Sequence, residues 1–191
     1  DFFYAHEQRR GCFVTNRAGS GKPADADIWC VAWLGDRWGV PAALPAPVNS
    51  DAEEFSPVFG PAGELYFASD RMGGAGLGDA YRAIERSGTW VVERLGPAVN
   101  SKGGEWNLVL SPDGDTMIFE ASHRATNRSV AGDLYLSRLR AGAWTDAVPL
   151  SLINTDGSDL MPRFVSGELV VASQNGRDVD LRAIGGGALE T

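Results

Sequence analysis

The chain has 191 residues, a net charge of −8 and 43% apolar residues, which suits a folded domain with a real core and excludes a disordered chain. The negative balance argues against nucleic acid, whose phosphates need a basic face. No apolar run approaches the roughly eighteen residues that a membrane-spanning helix requires.

Taken in chain order, Phe2 to Gln8 reads as a first strand, with His6 and Glu7 at or just past its end. These two are the only His–acid neighbours in the chain, which is thin ground for acid–base chemistry. Phe13-Val14-Thr15-Asn16-Arg17 reads as a second strand, and a long loop, Ala18 to Ala26, carries Lys22. Asp27-Ile28-Trp29 opens a third strand, Trp38 follows eleven residues after the aspartate, and Asn49-Ser50 precedes Glu54.

The same marks then return. Asp79-Ala80-Tyr81 and Asp133-Leu134-Tyr135 lie 52 and a further 54 residues along. Trp90 and Trp144 again stand eleven residues after the aspartate. Asn100-Ser101 and Asn154-Thr155 follow, each with a carboxylate, Glu105 or Asp159, five residues beyond the asparagine. Phe67-Ala68-Ser69-Asp70-Arg71 matches the segment ending at Arg17, and Phe119 to Arg124 does so less cleanly. A weaker fourth copy runs from Val170 to Asn175 and on to Asp180-Leu181.

Each unit reads as four short strands. In the second these are Phe55–Phe59, Glu64–Ser69, Ala80–Glu85 and Trp90–Leu95. They are separated by Gly60-Pro61-Ala62-Gly63, by the glycine-rich Met72–Gly78 and by Ser87-Gly88. Ser111-Pro112-Asp113-Gly114 is the first turn of the third unit, and Ala125 to Gly132 is its long loop. A repeat of about fifty residues with four antiparallel strands predicts an all-β chain, a β-propeller of four-stranded blades. One blade cannot bury both faces of its sheet, so blades must pack face to face. The expectation is a single propeller domain over 1–191, with blades near 1–50, 51–101, 102–155 and 156–191. The fourth copy lacks its tryptophan and outer strand, so a segment before Asp1 is expected to supply that strand and further blades of a five- or six-bladed ring.

Cys12 and Cys30 fall on neighbouring strands in this reading. A disulfide is open to an exported chain, but two buried free thiols are the expectation. Two cysteines and two histidines are too few for a convincing zinc site.

The run of Ser-Pro-Asp-Gly before a strand, Phe67 to Arg71, a glycine-rich loop, Asp79 to Tyr81, Trp90 and then Leu95 to Ser101 with an acid resembles the WD40-like propeller repeats of the TolB type. The resemblance implies a bacterial envelope protein, periplasmic or extracellular. It leaves the activity open, because such propellers serve as binding platforms and as accessory domains beside enzymes.

Asp27, Asp79 and Asp133 are expected to close loops and to pair with Arg17, Arg71 and Arg124. The tryptophans are expected between blades, and the asparagines in left-handed turns. Glu54, Glu105 and Asp159, with Asp1, are expected near the rim of the central channel. There they would form a negative funnel for a basic peptide or a structural Ca2+, or each would cap backbone amides or pair with an arginine in the next blade. Asp1, His6, Glu54, Glu105, Trp106 and Asp159 are the candidate binding residues. The reading of function is a non-enzymatic binding or scaffold propeller for a protein or small ligand. The alternative is a glycan or ester hydrolase using Glu54, Glu105 and Asp159, with Trp106 as a stacking platform.

Overall fold

The computed structural model describes residues 2–16, 26–185 and 189. Asp1, Arg17 and most of the first long loop, with Lys22, lie outside the described residues. The described chain is all-β, with four small antiparallel sheets arranged as the blades of a propeller.

Blade 1 comprises β1 (Phe2–Ala5), β2 (Arg10–Thr15), β3 (Asp27–Ala32) and β4 (Ala42–Ala43). Blade 2 comprises β5 (Glu54–Phe59), β6 (Leu65–Ser69), β7 (Asp79–Arg86) and β8 (Thr89–Arg94). Blade 3 has β9 (Gly104–Leu110), β10 (Thr116–Ser122) and β11 (Asp133–Arg140). Its outer edge is split into β12 (Ala143–Trp144) and β13 (Val148–Pro149), both paired with β11. Blade 4 has β14 (Ser158–Val165), β15 (Glu168–Asn175) and β16 (Asp178–Ile184). Strands neighbour one another in sequence order in every blade. The expected first strand is shorter than read: the chain turns at His6 to Arg9, and Arg9 takes a φ of 47°.

Turn chemistry sets the hairpins. Ser87-Gly88, Ala141-Gly142 and Ser166-Gly167 each place two successive residues at positive φ, as the tightest two-residue hairpins demand. Glycine at the second place relieves half of that demand.

Three apolar layers hold the blades together. Cys12, Ile28 and Cys30 pack against Phe59, Leu65, Phe67 and Trp90 between blades 1 and 2. Val58, Tyr66 and Val99 meet Leu110, Met117 and Phe119 between blades 2 and 3. Ile118, Leu134, Leu150 and Ile153 meet Leu169 and Val171 between blades 3 and 4. Trp90 sits in the first layer, and Trp144 reaches back edge-on to Tyr66 of blade 2 at 6.0 Å. Trp38 holds the equivalent place on blade 1 and lies 42% exposed among Phe2, Tyr4 and Trp33. On blade 4, Val179 and Leu181 are exposed.

A backbone bond repeats at every blade junction. The N–H of Glu54, Glu105 and Asp159 donates to the carbonyl of Ala26, Gly78 and Gly132 in the preceding blade, at 2.7, 2.9 and 3.0 Å. The acceptor is small each time because the next inner strand presses on it. A Cβ on Gly78 would stand 2.0 Å from the Trp106 ring. Gly78→Val should therefore destabilise the chain by about 1–3 kcal/mol through overpacking, read as a lower urea midpoint. An unchanged midpoint would mean that this junction yields freely.

Cys12 and Cys30 face one another across β2 and β3 and form a disulfide. This corrects the free-thiol expectation. The register places the pair directly opposite, and both side chains are drawn into the layer beneath blade 2. The bond closes a loop over a sequence separation of 18, so Cys12→Ala/Cys30→Ala should cost about 3 kcal/mol, measured by urea unfolding of oxidised protein and double variant. Equal stability would remove the bond from the fold's account.

Candidate functional site

Glu54, Glu105 and Asp159 have no exposed surface. Ser50, Ser101 and Thr155, four residues earlier, each direct a backbone N–H and a hydroxyl at the carboxylate. A guanidinium completes each nest: Arg71 at 3.0 Å, Arg124 at 2.8 Å and Arg182 at 2.8 Å. The same arginines donate to the carbonyls of Val48, Val99 and Ile153 at the end of the preceding blade. Each carboxylate therefore welds its own blade to the one before it. At Glu54, burial pushes the carboxyl pKa up, against the pull of Ser50, Arg71 and Ser69.

Arg71 and Arg124 bind the carboxylates of their own blades, not those of a neighbouring blade and not Asp79 and Asp133, which corrects both expected pairings there, while Arg17 lies outside the described residues. Asp79 accepts from the Ala75 N–H, and Asp133 from the N–H groups of Arg128 and Ser129. Blade 4 adds a substitution that sequence reading missed. Arg182 stands two residues after Asp180, where Tyr81 and Tyr135 stand after their aspartates. In blades 2 and 3 the guanidinium lies over that tyrosine, at 4.7 Å for Arg71 and 4.6 Å for Arg124. In blade 4 the arginine comes from the tyrosine's own position and lands on the same carboxylate.

Asn49, Asn100 and Asn154 are not left-handed turn residues; none has a positive φ. Each side-chain amide pairs with a third-strand backbone like one more strand residue. Asn100 accepts from the Ala80 N–H at 2.8 Å and donates to the carbonyls of Ala80 and Leu95 at 3.0 and 2.7 Å. Asn49 repeats all three bonds, and Asn154 shows the first two on Leu134.

Among the inner strands, Phe2, Phe3, Ser56, Pro57, Leu108, Val109 and Arg163 line a cavity of about 10 Å³, and the buried Glu54, Glu105 and Asp159 present no surface for a funnel. Among the described residues, no group of three or more His, Cys, Asp or Glu side chains is placed to hold a metal ion. His6 and Glu7 lie 3.9 Å apart on the surface, both highly exposed, beside Tyr4, Arg9 and Trp33.

Several open surface clefts of about 280–360 Å³ lie among the described residues, and the one of about 280 Å³ where β5 and β9 begin is lined by Glu53, Phe55, Ser56, Asp70, Trp106, Asn107 and Glu120. Phe55 and Trp106 meet edge-on at 5.7 Å across the blade 2–blade 3 junction. Ser56 and Asn107 each sit two residues after a welded carboxylate, at bulges with φ of 51° and 48°. Met161 holds the same bulge in blade 4 with a φ of 50°, so the bulge belongs to the blade repeat, and only the polar side chains at 56 and 107 set blades 2 and 3 apart. Ser56 Oγ bonds Asn107 Oδ1 at 3.1 Å, and Asn107 Nδ2 donates to Glu120 Oε2 at 2.7 Å.

Glu120 is 8% exposed and, unlike the other three buried glutamate and aspartate nests, has no ion-pair partner among the described residues. Burial raises its pKa, outweighing the Asn107 bond. The native state therefore holds a proton over a window that begins at the unfolded value, about 4.3, and runs upward. Its contribution to stability is present below that window and is lost as pH rises through the folded value. Glu120→Gln should gain on the native sequence as pH rises from about 4 to 7, in urea melts at several pH values. A difference that stays flat with pH would contradict the raised pKa.

Of the candidate residues that are described, only Trp106 lines this cleft, and the buried Glu54 and Glu105 do not. Glu120 and Asn107 escaped the sequence reading because neither recurs in the other units.

No protein-family model matches the chain, and no curated protein does. Among solved structures, a puromycin hydrolase S511A mutant complexed with PGG matches with a TM-score of 0.52 at 17% identity, covering 91% of this chain and 29% of that one. A prolyl endopeptidase structure matches with a TM-score of 0.56 at 14% identity, covering 96% of this chain and 24% of that one. The chain thus spans under a third of the length of these proteins, and the likeness shows the propeller fold alone.

Proposed function

We propose that this chain is a binding propeller, non-enzymatic in itself, whose ligand enters the cleft between Trp106 and Glu120. One observation carries the reading. The polar residues that recur are consumed by blade junctions, whereas Ser56, Asn107 and Glu120 form a chain of polar side chains facing an opening, and blade 4 carries Met161 where blades 2 and 3 carry Ser56 and Asn107. A hydrolase working through Glu54, Glu105 and Asp159 is not favoured, since these groups are closed to any substrate.

The TolB-type resemblance and an exported location belong to the same proposal. The Cys12–Cys30 disulfide supports them, because such bonds persist in oxidising compartments. The exposed faces at Trp38 and Leu181 support the expectation of further blades, since their counterparts inside the chain are covered by a neighbour.

A fragment screen followed by protein NMR tests the binding reading. Fragments that bind should shift the Trp106 indole N–H, assigned with Trp106→Phe, together with the Asn107 amide. Shifts clustering instead around Ala42 to Pro45, or none at all, would overturn the site.

A further inference from the structure

The chain builds the same receptor for a guanidinium twice over. In blade 2, Arg71 is held by the buried Glu54, the Ser69 hydroxyl and the rings of Phe67 and Tyr81. In blade 3, Arg124 is held by the buried Glu105 and the rings of Phe119 and Tyr135. A buried carboxylate with aromatic faces beside it is thus this fold's own solution for a planar cation.

The cleft repeats that set of groups without an arginine in it. Glu120 supplies the buried carboxylate. Trp106 lies directly across from it in the β9–β10 register, so both side chains emerge on one face. Phe55 backs the indole, and Ser56 and Asn107 line the floor. Asp70 and Glu53 add carboxylates at the exposed rim. The volume of about 280 Å³ falls just below the roughly 300–1,000 Å³ typical of sites for whole drug-sized molecules, and suits one long side chain. A net charge of −8 favours approach of a cationic partner.

We propose that this cleft takes the guanidinium of an arginine side chain presented by a basic peptide, with Glu120 as its buried counter-ion and Trp106 as its stacking face. The proposal rests on the reading of the cleft as the binding site and names the chemistry of what binds there. The guanidinium would donate to the Glu120 carboxylate from the cleft, while the Asn107 amide and the Met161 backbone keep their bonds to it.

The test is calorimetric titration of the intact chain with N-acetyl-Gly-Arg-Gly-amide and with its citrulline counterpart, which keeps the shape and lacks the charge. The arginine peptide should bind at least tenfold more tightly. Glu120→Gln should remove most of that preference, and Asp70→Asn on the exposed rim should lessen it. Equal affinity for the two peptides, or full preference retained in Glu120→Gln, overturns the proposal. If fragments shift the Trp106 indole while the arginine peptide shows no preference, the cleft stands as a site and the guanidinium assignment falls. If neither peptides nor fragments disturb Trp106, both fall.

Discussion

Replacing Arg124 by methionine should cost about 3–5 kcal/mol of folding free energy and lower the melting temperature by roughly 10 °C. The reason is what stays behind. Glu105 has no exposed surface, and two bonds from Ser101 cannot replace the guanidinium's charge. Val99 also loses the donor that ties its carbonyl to blade 3. Removing one member of a buried pair leaves an uncompensated charge, which is far more damaging than never having built the pair. An exposed pair provides the contrast: Arg82 and Glu93 bridge β7 and β8 at the surface, and Glu93→Gln should change stability by less than about 1 kcal/mol. Urea unfolding of both variants separates these outcomes. A cost for Arg124→Met as small as that for Glu93→Gln would show that the blade weld contributes little.

Asn100→Ala should cost about 3 kcal/mol or more by the same assay. One truncation orphans the Ala80 N–H and the Leu95 carbonyl at a buried place, and strips the Ala80 carbonyl of one of its two donors, the Leu95 N–H remaining. Each buried group left without a partner costs roughly 1–3 kcal/mol. Asn100→Asp, of nearly the same shape, should be no better. Its second oxygen would face the two carbonyls that now receive the Nδ2 hydrogens. If Asn100→Asp folds as stably as the native sequence, the amide is not acting as a surrogate strand residue.

The architecture was legible because a propeller writes each of its junctions into the sequence once per blade. Trp90 and Trp144 were placed between blades by their spacing alone, and both are there. The asparagine-to-carboxylate interval of five residues likewise marked one physical unit, although its parts were misassigned. Asn100 looked like a turn residue because turns favour asparagine. Its clamp depends on β7 lying alongside, a tertiary relation that local composition does not carry. Arg71 stands just before the repeated Asp79, which made that aspartate the expected partner, whereas its partner is Glu54, seventeen residues back across the blade. Arg182 could be recognised only after two nests with their tyrosines had been seen.

The cleft was the least legible part. A repeat search finds what recurs, and a ligand site on a repeat scaffold is built from what does not. The sequence offers Trp106 as a stacking platform beside Glu54, Glu105 and Asp159, but its companion is Glu120, brought opposite by the β9–β10 pairing and its bulge. Glu120 stands in the middle of β10, flanked by the buried Phe119 and Ala121. One signal was available: a carboxylate inside a strand that is otherwise apolar needs a reason, and in this chain that reason is neither a serine cap nor an arginine.

Glu54, Glu105 and Asp159 hold the blades together, whereas Glu120 faces a ligand. Melting curves of the native chain, Glu105→Gln and Glu120→Gln, each with and without the arginine peptide at pH 7, test that division most directly. Glu105→Gln should melt lower and still rise with peptide as the native chain does. Glu120→Gln should melt at or above the native temperature and show no rise. A Glu120→Gln protein that is still stabilised by the peptide, or a Glu105→Gln protein that keeps its melting temperature and loses the rise, would contradict it.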